Sequence, residues 1–196
     1  MGEAIHSSAN AIYDLLNELL QWSRLQMGSI PFELEENDLY EIIINNVYLL
    51  NKTAEIKKIK ISTLIEKNTK VKCDKNMIMT VIRNLIDNAI KFSNPNGNIY
   101  ITCEKTEYQS NCYKKSLRGN YYKISVIDEG TGISEEKIQE ILTLEKKTST
   151  PGTNGEKGTG LGLVLCKEFI DKHNGKLWIE SEKGVGSKFI FTLESA

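Results

Sequence analysis

Three groups of residues in this chain have types and spacings that could do chemistry. Asn84, Asn88 and Lys91 recur at i, i+4 and i+7, so on a helix two carboxamides and one ammonium project in a row. Carboxamide oxygens suit a hard cation such as Mg2+, which is usually held by few protein ligands plus phosphate oxygens, and a lysine supplies a point charge to those phosphates. Asp128 opens the run Asp128-Glu129-Gly130-Thr131-Gly132-Ile133, which places a carboxylate beside backbone without side-chain bulk. A flat ligand can approach there, and the carboxylate can accept a hydrogen bond from an exocyclic amine such as that of adenine. Lys157-Gly158-Thr159-Gly160-Leu161-Gly162-Leu163 leads directly into an apolar helical pattern. Glycine-rich backbone at a helix N-terminus offers free N–H groups and a positive dipole end, which together cradle phosphate. Taken singly, each group is also compatible with a solvated helix face or an ordinary turn.

These groups need elements to position them. Ile78, Ile82, Leu85, Ala89 and Phe92 form a helical apolar stripe beside the Asn84 row, with Asp74 as N-cap and Ser93-Asn94-Pro95-Asn96-Gly97 as stop. Tyr121 to Asp128 reads as a strand that delivers Asp128 at its end, and Asn98 to Cys103 as its neighbour. The polar, basic stretch Thr106 to Asn120 between them, with Cys112, Lys114, Lys115 and Arg118, reads as a long hairpin loop. Further strands are expected at Ile30 to Leu34, Lys58 to Leu64, Lys70 to Cys73, Lys176 to Ser181 and Ser187 to Leu193. A helix should begin at Asp38, a short one at Ser134, and another should run from Leu161 to Lys172. Glu145 to Lys157 has no apolar periodicity and is expected to be mobile. The fold class is therefore an α/β (α+β) two-layer sandwich: a mixed, largely antiparallel sheet with helices on one face. Glu3 to about Met27 precedes it as one long amphipathic helix with a seam at Ile5, Ala9, Ile12, Leu16 and Leu19.

The order of these signals resembles the asparagine box and the two glycine boxes of two-component sensor histidine kinases, with Gly184-Val185-Gly186-Ser187 as a further glycine element. The resemblance covers roughly Asp38 to the C-terminus and implies a Bergerat-type ATP-binding domain, as in gyrase, Hsp90 and MutL. It implies ATP and Mg2+ as ligands, with Asn88 as main metal ligand, Asn84 assisting, Lys91 on phosphate, Asp128 on the adenine amine and Lys157 to Leu163 around the phosphates. Phe92, Gly130, Gly132 and Ile133 join the nucleotide contacts on the same analogy, and 134–157 would be the lid. The hydrolysing relatives carry Glu where this chain has Asn84, and a carboxamide cannot act as a general base. Transfer of the γ-phosphoryl group to a protein nucleophile is thereby favoured over hydrolysis, and the resemblance implies a histidine as that nucleophile, with Asn84, Asn88 and Lys91 acting by positioning.

Residues 1–28, with Leu15 to Gly28, resemble the second helix of the dimerisation and phosphotransfer hairpin, and 29–196 the catalytic domain. The acceptor histidine belongs to a first helix that this sequence lacks. His6, followed by Ser7-Ser8-Ala9, is read as an ordinary helix residue, and His173 as a structural residue complementing a helix C-terminus. The family's Phe-containing box is absent, since Ile141-Leu142-Thr143-Leu144-Glu145 holds no Phe. The implied partners are that hairpin, in cis or in trans within a homodimer, and the receiver domain of a response regulator. A non-catalytic ATP-gated interaction module of the same fold, and a Ser/Thr kinase of the anti-sigma type, are the alternatives.

With 196 residues, 40% of them hydrophobic, the chain can bury one good core plus an appended element. A formal net charge of −1 and pI near 6.2 give no basic field, which argues against a nucleic-acid partner. Cys73, Cys103, Cys112 and Cys166 lack zinc or disulfide spacing, and a reducing, cytoplasmic location is expected. No apolar run is long enough to span a bilayer, so no direct membrane contact is expected of this piece. Met1-Gly2 ahead of a helical pattern already in progress suggests that the natural protein is longer.

Overall fold

The computed structural model describes Leu16, Leu20, Ser23 and residues 31–112, 115–143, 150–156 and 158–196. Leu16, Leu20 and Ser23 are helical, and the two leucines are exposed. The remainder of the expected N-terminal helix, including His6, lies outside the described residues, as do 144–149 and Lys157.

The elements follow in the order β1 (Glu35–Asp38), α1 (Leu39–Ile56), β2 (Lys60–Leu64), β3 (Lys70–Cys73), α2 (Lys75–Phe92), β4 (Asn98–Cys112), β5 (Lys115–Asp128), α3 (Glu135–Thr143), α4 (Gly162–Lys172), β6 (Leu177–Glu182) and β7 (Gly186–Glu194). β2, β4, β5, β7 and β6 lie in that order in a five-stranded sheet. Only the β2–β4 pair is parallel, so the sheet is mixed and largely antiparallel as expected. Alternate residues of the central strands, Ile99 and Ile101, Ile124 and Val126, Phe189, Phe191 and Leu193, are buried in one core with α1, α2 and α4. α2 is the central helix: Met77, Ile78, Val81, Ile82, Leu85, Ile86, Ala89 and Ile90 are all buried. Each of these side chains larger than alanine contributes roughly 1.5–3 kcal/mol when removed from water. That burial holds the opposite, polar face of the helix at a fixed orientation.

The N-caps expected at Asp38 and Asp74 are present. The Asp38 carboxylate accepts from Tyr40 N, and the Asp74 carboxylate accepts from Asn76 N and Met77 N at 3.0 Å. The first strand falls at Glu35–Asp38 rather than Ile30 to Leu34. It pairs antiparallel with β3 and runs straight into the Asp38 cap, so its position is set by the partner strand and not by the apolar run; Phe32 and Leu34 are exposed. The hairpin after Cys103 also differs from expectation. β4 and β5 stay paired through Thr106↔Tyr121 as far as Cys112↔Lys115. β7 ends at Glu194, opposite Tyr121, so beyond that point the ribbon has no further sheet partner. Its backbone pairing continues there in the same antiparallel register.

His173 is structural, as expected, but not through charge. Its Nδ1 donates to the Phe169 carbonyl at 2.6 Å and its Nε2 accepts from Asp74 N at 2.9 Å, which requires the neutral ring. It ties the C-terminal end of α4 to the N-terminal end of α2, and burial lowers its pKa from the usual 6.5.

Candidate nucleotide site

The site is built on the last turns of α2. Asn84, Asn88 and Lys91 are half-buried there, on the flank of the buried stripe. Asn84 Nδ2 donates to Thr80 O at 3.0 Å, which turns Oδ1 outward, and a Cβ on Gly162 would lie only 2.7 Å from that oxygen. Gly162 is therefore the residue that lets α4 begin against the Asn84 carboxamide. The Asn88 side chain makes no hydrogen bond to another described residue, so its oxygen can accept a ligand without displacing a protein contact. Among the described residues no group of three or more His, Cys, Asp or Glu side chains could hold a metal. A cation here would take carboxamide oxygens from Asn88 and Asn84 and the rest of its shell from a ligand.

At its C-terminal end α2 turns extended at Ser93, and the Asp128 loop docks there. Ser93 and Gly130 form an antiparallel bridge, and Thr131 N donates to Phe92 O at 3.1 Å. Asp128 is 4% exposed, and its Oδ1 accepts from Gly130 N at 2.9 Å and Ser187 N at 3.3 Å. Burial pushes its carboxyl up from 3.8 to about 6, with those two N–H bonds holding the rise back. Its second oxygen makes no hydrogen bond within the described residues. Such a carboxylate, buried, ionised at neutral pH and half-satisfied, is suited to accept from a ligand donor. Gly132, with φ +63°, rests against the Glu182 carbonyl, and Ile133 N donates to Ser181 Oγ at 2.8 Å, so both belong to the wall beside Asp128. Lys91 Nζ lies 5.8 Å from the centre of the Phe92 ring.

The third group leads into α4. Leu161 N donates to Thr159 Oγ1 at 3.3 Å, Gly160 has φ +75°, and Leu161 is buried while Leu163 packs on the core. α4 starts without a side-chain cap, which leaves its N-terminus to a ligand or solvent. The fold thus brings together the Asn row, the Asp128 loop and the start of α4; Lys157 lies outside the described residues.

Sequence reasoning missed Lys57, named Ser187 only within a glycine element and at a strand start, and placed Thr153 and Glu156 in the lid without a role for either. Ser187 reaches Asp128 because the strands pair Asp128↔Ser187, a register that no local pattern encodes. Lys57 carried a weak signal, since it falls three residues beyond buried Ala54 on the inner face of α1.

The family model described as "Histidine kinase-, DNA gyrase B-, and HSP90-like ATPase" matches residues 73–196, more than half of the chain. The chain belongs to this ATPase family. Within it the chain is similar to the sensor protein SrrB of Staphylococcus aureus, with 30% identity over 179 residues, 91% of this chain and 29% of that protein. It is also similar to a nucleotide-free catalytic domain of the histidine kinase ThkA, at 30% identity and TM-score 0.66 over 83% of this chain and 96% of that one. A structure of ThkA in complex with the response regulator protein TrrA matches at 26% identity and TM-score 0.69, covering 98% of this chain and 49% of that one. This ATPase-family chain is accordingly a histidine-kinase type of ATP-binding domain, and it spans 22 to 29% of the length of the curated relatives it matches.

Proposed function

We propose that this domain binds Mg-ATP and passes the γ-phosphoryl group to a histidine on a hairpin helix, upstream of a response regulator. The observation that carries the reading is the Asn84 carboxamide, anchored to Thr80 O with its oxygen against Gly162. It stands between the helix row and the glycine-rich helix start, and it is not a base. Mg-ATP supplies the phosphoryl group, which leaves ADP and joins an imidazole nitrogen of the acceptor. Asn88, assisted by Asn84, would hold the cation; Lys91, Gly158, Thr159, Gly160, Leu161, Gly162 and Leu163, with Lys157 ahead of them, would hold the phosphates. Asp128 would accept from the adenine amine, with Phe92, Gly130, Gly132 and Ile133 lining the base. Asn84, Asn88 and Lys91 act by positioning and charge neutralisation.

Residues 1–28 are proposed as the second hairpin helix, 29–196 as the catalytic unit and 134–157 as its lid. The acceptor hairpin, supplied in cis or in trans within a homodimer, and a receiver domain are the proposed partners. The complex of ThkA with TrrA supports the latter. A cytoplasmic location is consistent with the finding that no helix among the described residues is long and apolar enough to cross a membrane. The test is calorimetric titration with an ATP analogue, with and without Mg2+, on wild type, Asn88→Ala and Asp128→Ala, followed by a phosphotransfer assay with the acceptor hairpin added in trans. Mg-dependent binding that both substitutions abolish, then acid-labile phosphohistidine, is expected. Binding without phosphohistidine would replace the kinase reading with that of an ATP-gated interaction module.

A further inference from the structure

Lys57 is 4% exposed, yet it is a lysine at the end of α1. Its Nζ donates to Ile90 O and Lys91 O at 2.9 Å each and to Thr153 Oγ1 at 2.7 Å, and lies 2.8 Å from Glu156 Oε1. Two of these oxygens are carbonyls of the last turn of α2. Because α2 turns extended at Ser93 to meet Gly130, no C-terminal glycine folds back to satisfy them. An ammonium at the negative end of the helix does so instead.

The other two oxygens belong to a turn that lies far away in sequence. Gly152 N donates to Glu156 O at 2.8 Å, Gly155 N to Gly152 O at 3.0 Å and Asn154 N to Glu156 Oε2 at 2.8 Å. Thr153 N donates to Lys91 O at 3.0 Å, and Thr153 Oγ1 to Ser93 O at 2.8 Å. Of Glu145 to Lys157, the stretch expected to be mobile, the described part over 152–156 is therefore an ordered, fastened turn, while 145–149 and Lys157 lie outside the described residues. It packs closely on the lysine of the Asn row: a Cβ on Gly152 would lie 2.6 Å from Lys91 Cγ. The bond from Lys57 holds the Glu156 carboxyl below the usual range despite partial burial.

We infer that Lys57 is a positioning residue for the phosphate end of the site. Its ammonium latches the 152–156 turn to the C-terminal carbonyls of α2, and so sets both the stem of Lys91 and the point from which the chain enters Gly158 to Leu163. The inference rests on the nucleotide reading above. A lysine suits this place because one tetrahedral head reaches oxygens from two elements, whereas a neutral donor would leave Glu156 uncompensated.

The test is amide hydrogen exchange on the nucleotide-free protein, comparing wild type with Lys57→Met, Glu156→Ala and Glu156→Gln, followed by titration of each with Mg-AMPPNP. Loss of one such charge-assisted bond should speed exchange at Thr153 and Gly155 by about tenfold or more, leave the amides of Ile82 and Leu85 unchanged, and weaken Mg-AMPPNP binding by a similar factor. Glu156→Gln, whose amide oxygen still accepts from Lys57, should recover most of both, which a mere loss of stability would not reproduce. Wild-type exchange in Lys57→Met and Glu156→Ala would refute the latch, and faster exchange with unchanged affinity would refute the positioning role. If Lys57→Met does not fold, Glu156→Ala carries both readouts. A wild type that shows no affinity for Mg-AMPPNP overturns the nucleotide reading together with this inference; a binding wild type with unaffected variants overturns this inference alone.

Discussion

Asp128→Asn separates the cost of the buried carboxylate from its use. The substitution keeps an Oδ1 acceptor for Gly130 N and Ser187 N and removes the charge. In the folded protein the Asp128 carboxyl is raised from 3.8 to about 6, chiefly by burial. Because the folded state holds this proton more tightly than the unfolded chain, its contribution is fully present below about pH 4 and is lost as pH rises through 6. Two units at about 1.4 kcal/mol each amount to about 3 kcal/mol at neutral pH. Asn does not titrate, so the unfolding free energy of the variant minus that of wild type should rise by about 2 kcal/mol between pH 4.5 and 7.5. Urea unfolding of the nucleotide-free proteins across that range measures it. ATP affinity should move the opposite way, falling by about 10- to 150-fold at pH 7.5 through loss of a charge-assisted acceptor worth roughly 1.5–3 kcal/mol. A stability difference that stays flat with pH, or that shrinks as pH rises, would refute the reasoning.

Three other outcomes are expected. Wild-type affinity for Mg-ATP should weaken as pH falls below about 6, where Asp128 gains a proton, and isothermal titration at pH 5 and 7 reads this directly. Gly162→Ala places a Cβ 2.7 Å from Asn84 Oδ1, the end of a side chain that can swing aside, so the unfolding free energy should change by no more than about 1 kcal/mol. Mg-AMPPNP titration of the same variant should show weaker binding, because the displaced carboxamide is a proposed metal ligand. His173, held neutral by burial, has a folded pKa below the ordinary 6.5, so its stabilisation is present above 6.5 and lost as pH falls beneath it. Compared with His173→Gln, wild type should lose more thermal stability between pH 7 and 5, as measured by scanning calorimetry.

The parts of the site within one element were legible without coordinates. The Asn84, Asn88 and Lys91 row follows from helix period, because the buried stripe from Ile78 to Ala89 dictates which face is left over. The Asp74 cap, the Asp128–Gly130 turn and the uncapped glycine entry to α4 are equally local, since each hydrogen bond spans only a few residues. Local reasoning misread the first strand and the β4–β5 ribbon because strand pairing is decided by the partner, and an apolar run such as Phe32 to Leu34 does not bury itself.

What joins the groups was decided only by tertiary structure. Gly162 meets Asn84 because α2 and α4 pack on the same sheet face; Ser187 meets Asp128 through the β5–β7 register. Lys57 reaches Thr153 across 96 residues of chain. These contacts depend on relative placement of elements, a property of the collective burial of the core that no window of sequence contains. Sequence by itself determined which residues could face a ligand, because periodicity and capping are short-range. The fold determined which of them lie side by side, because that is a matter of packing.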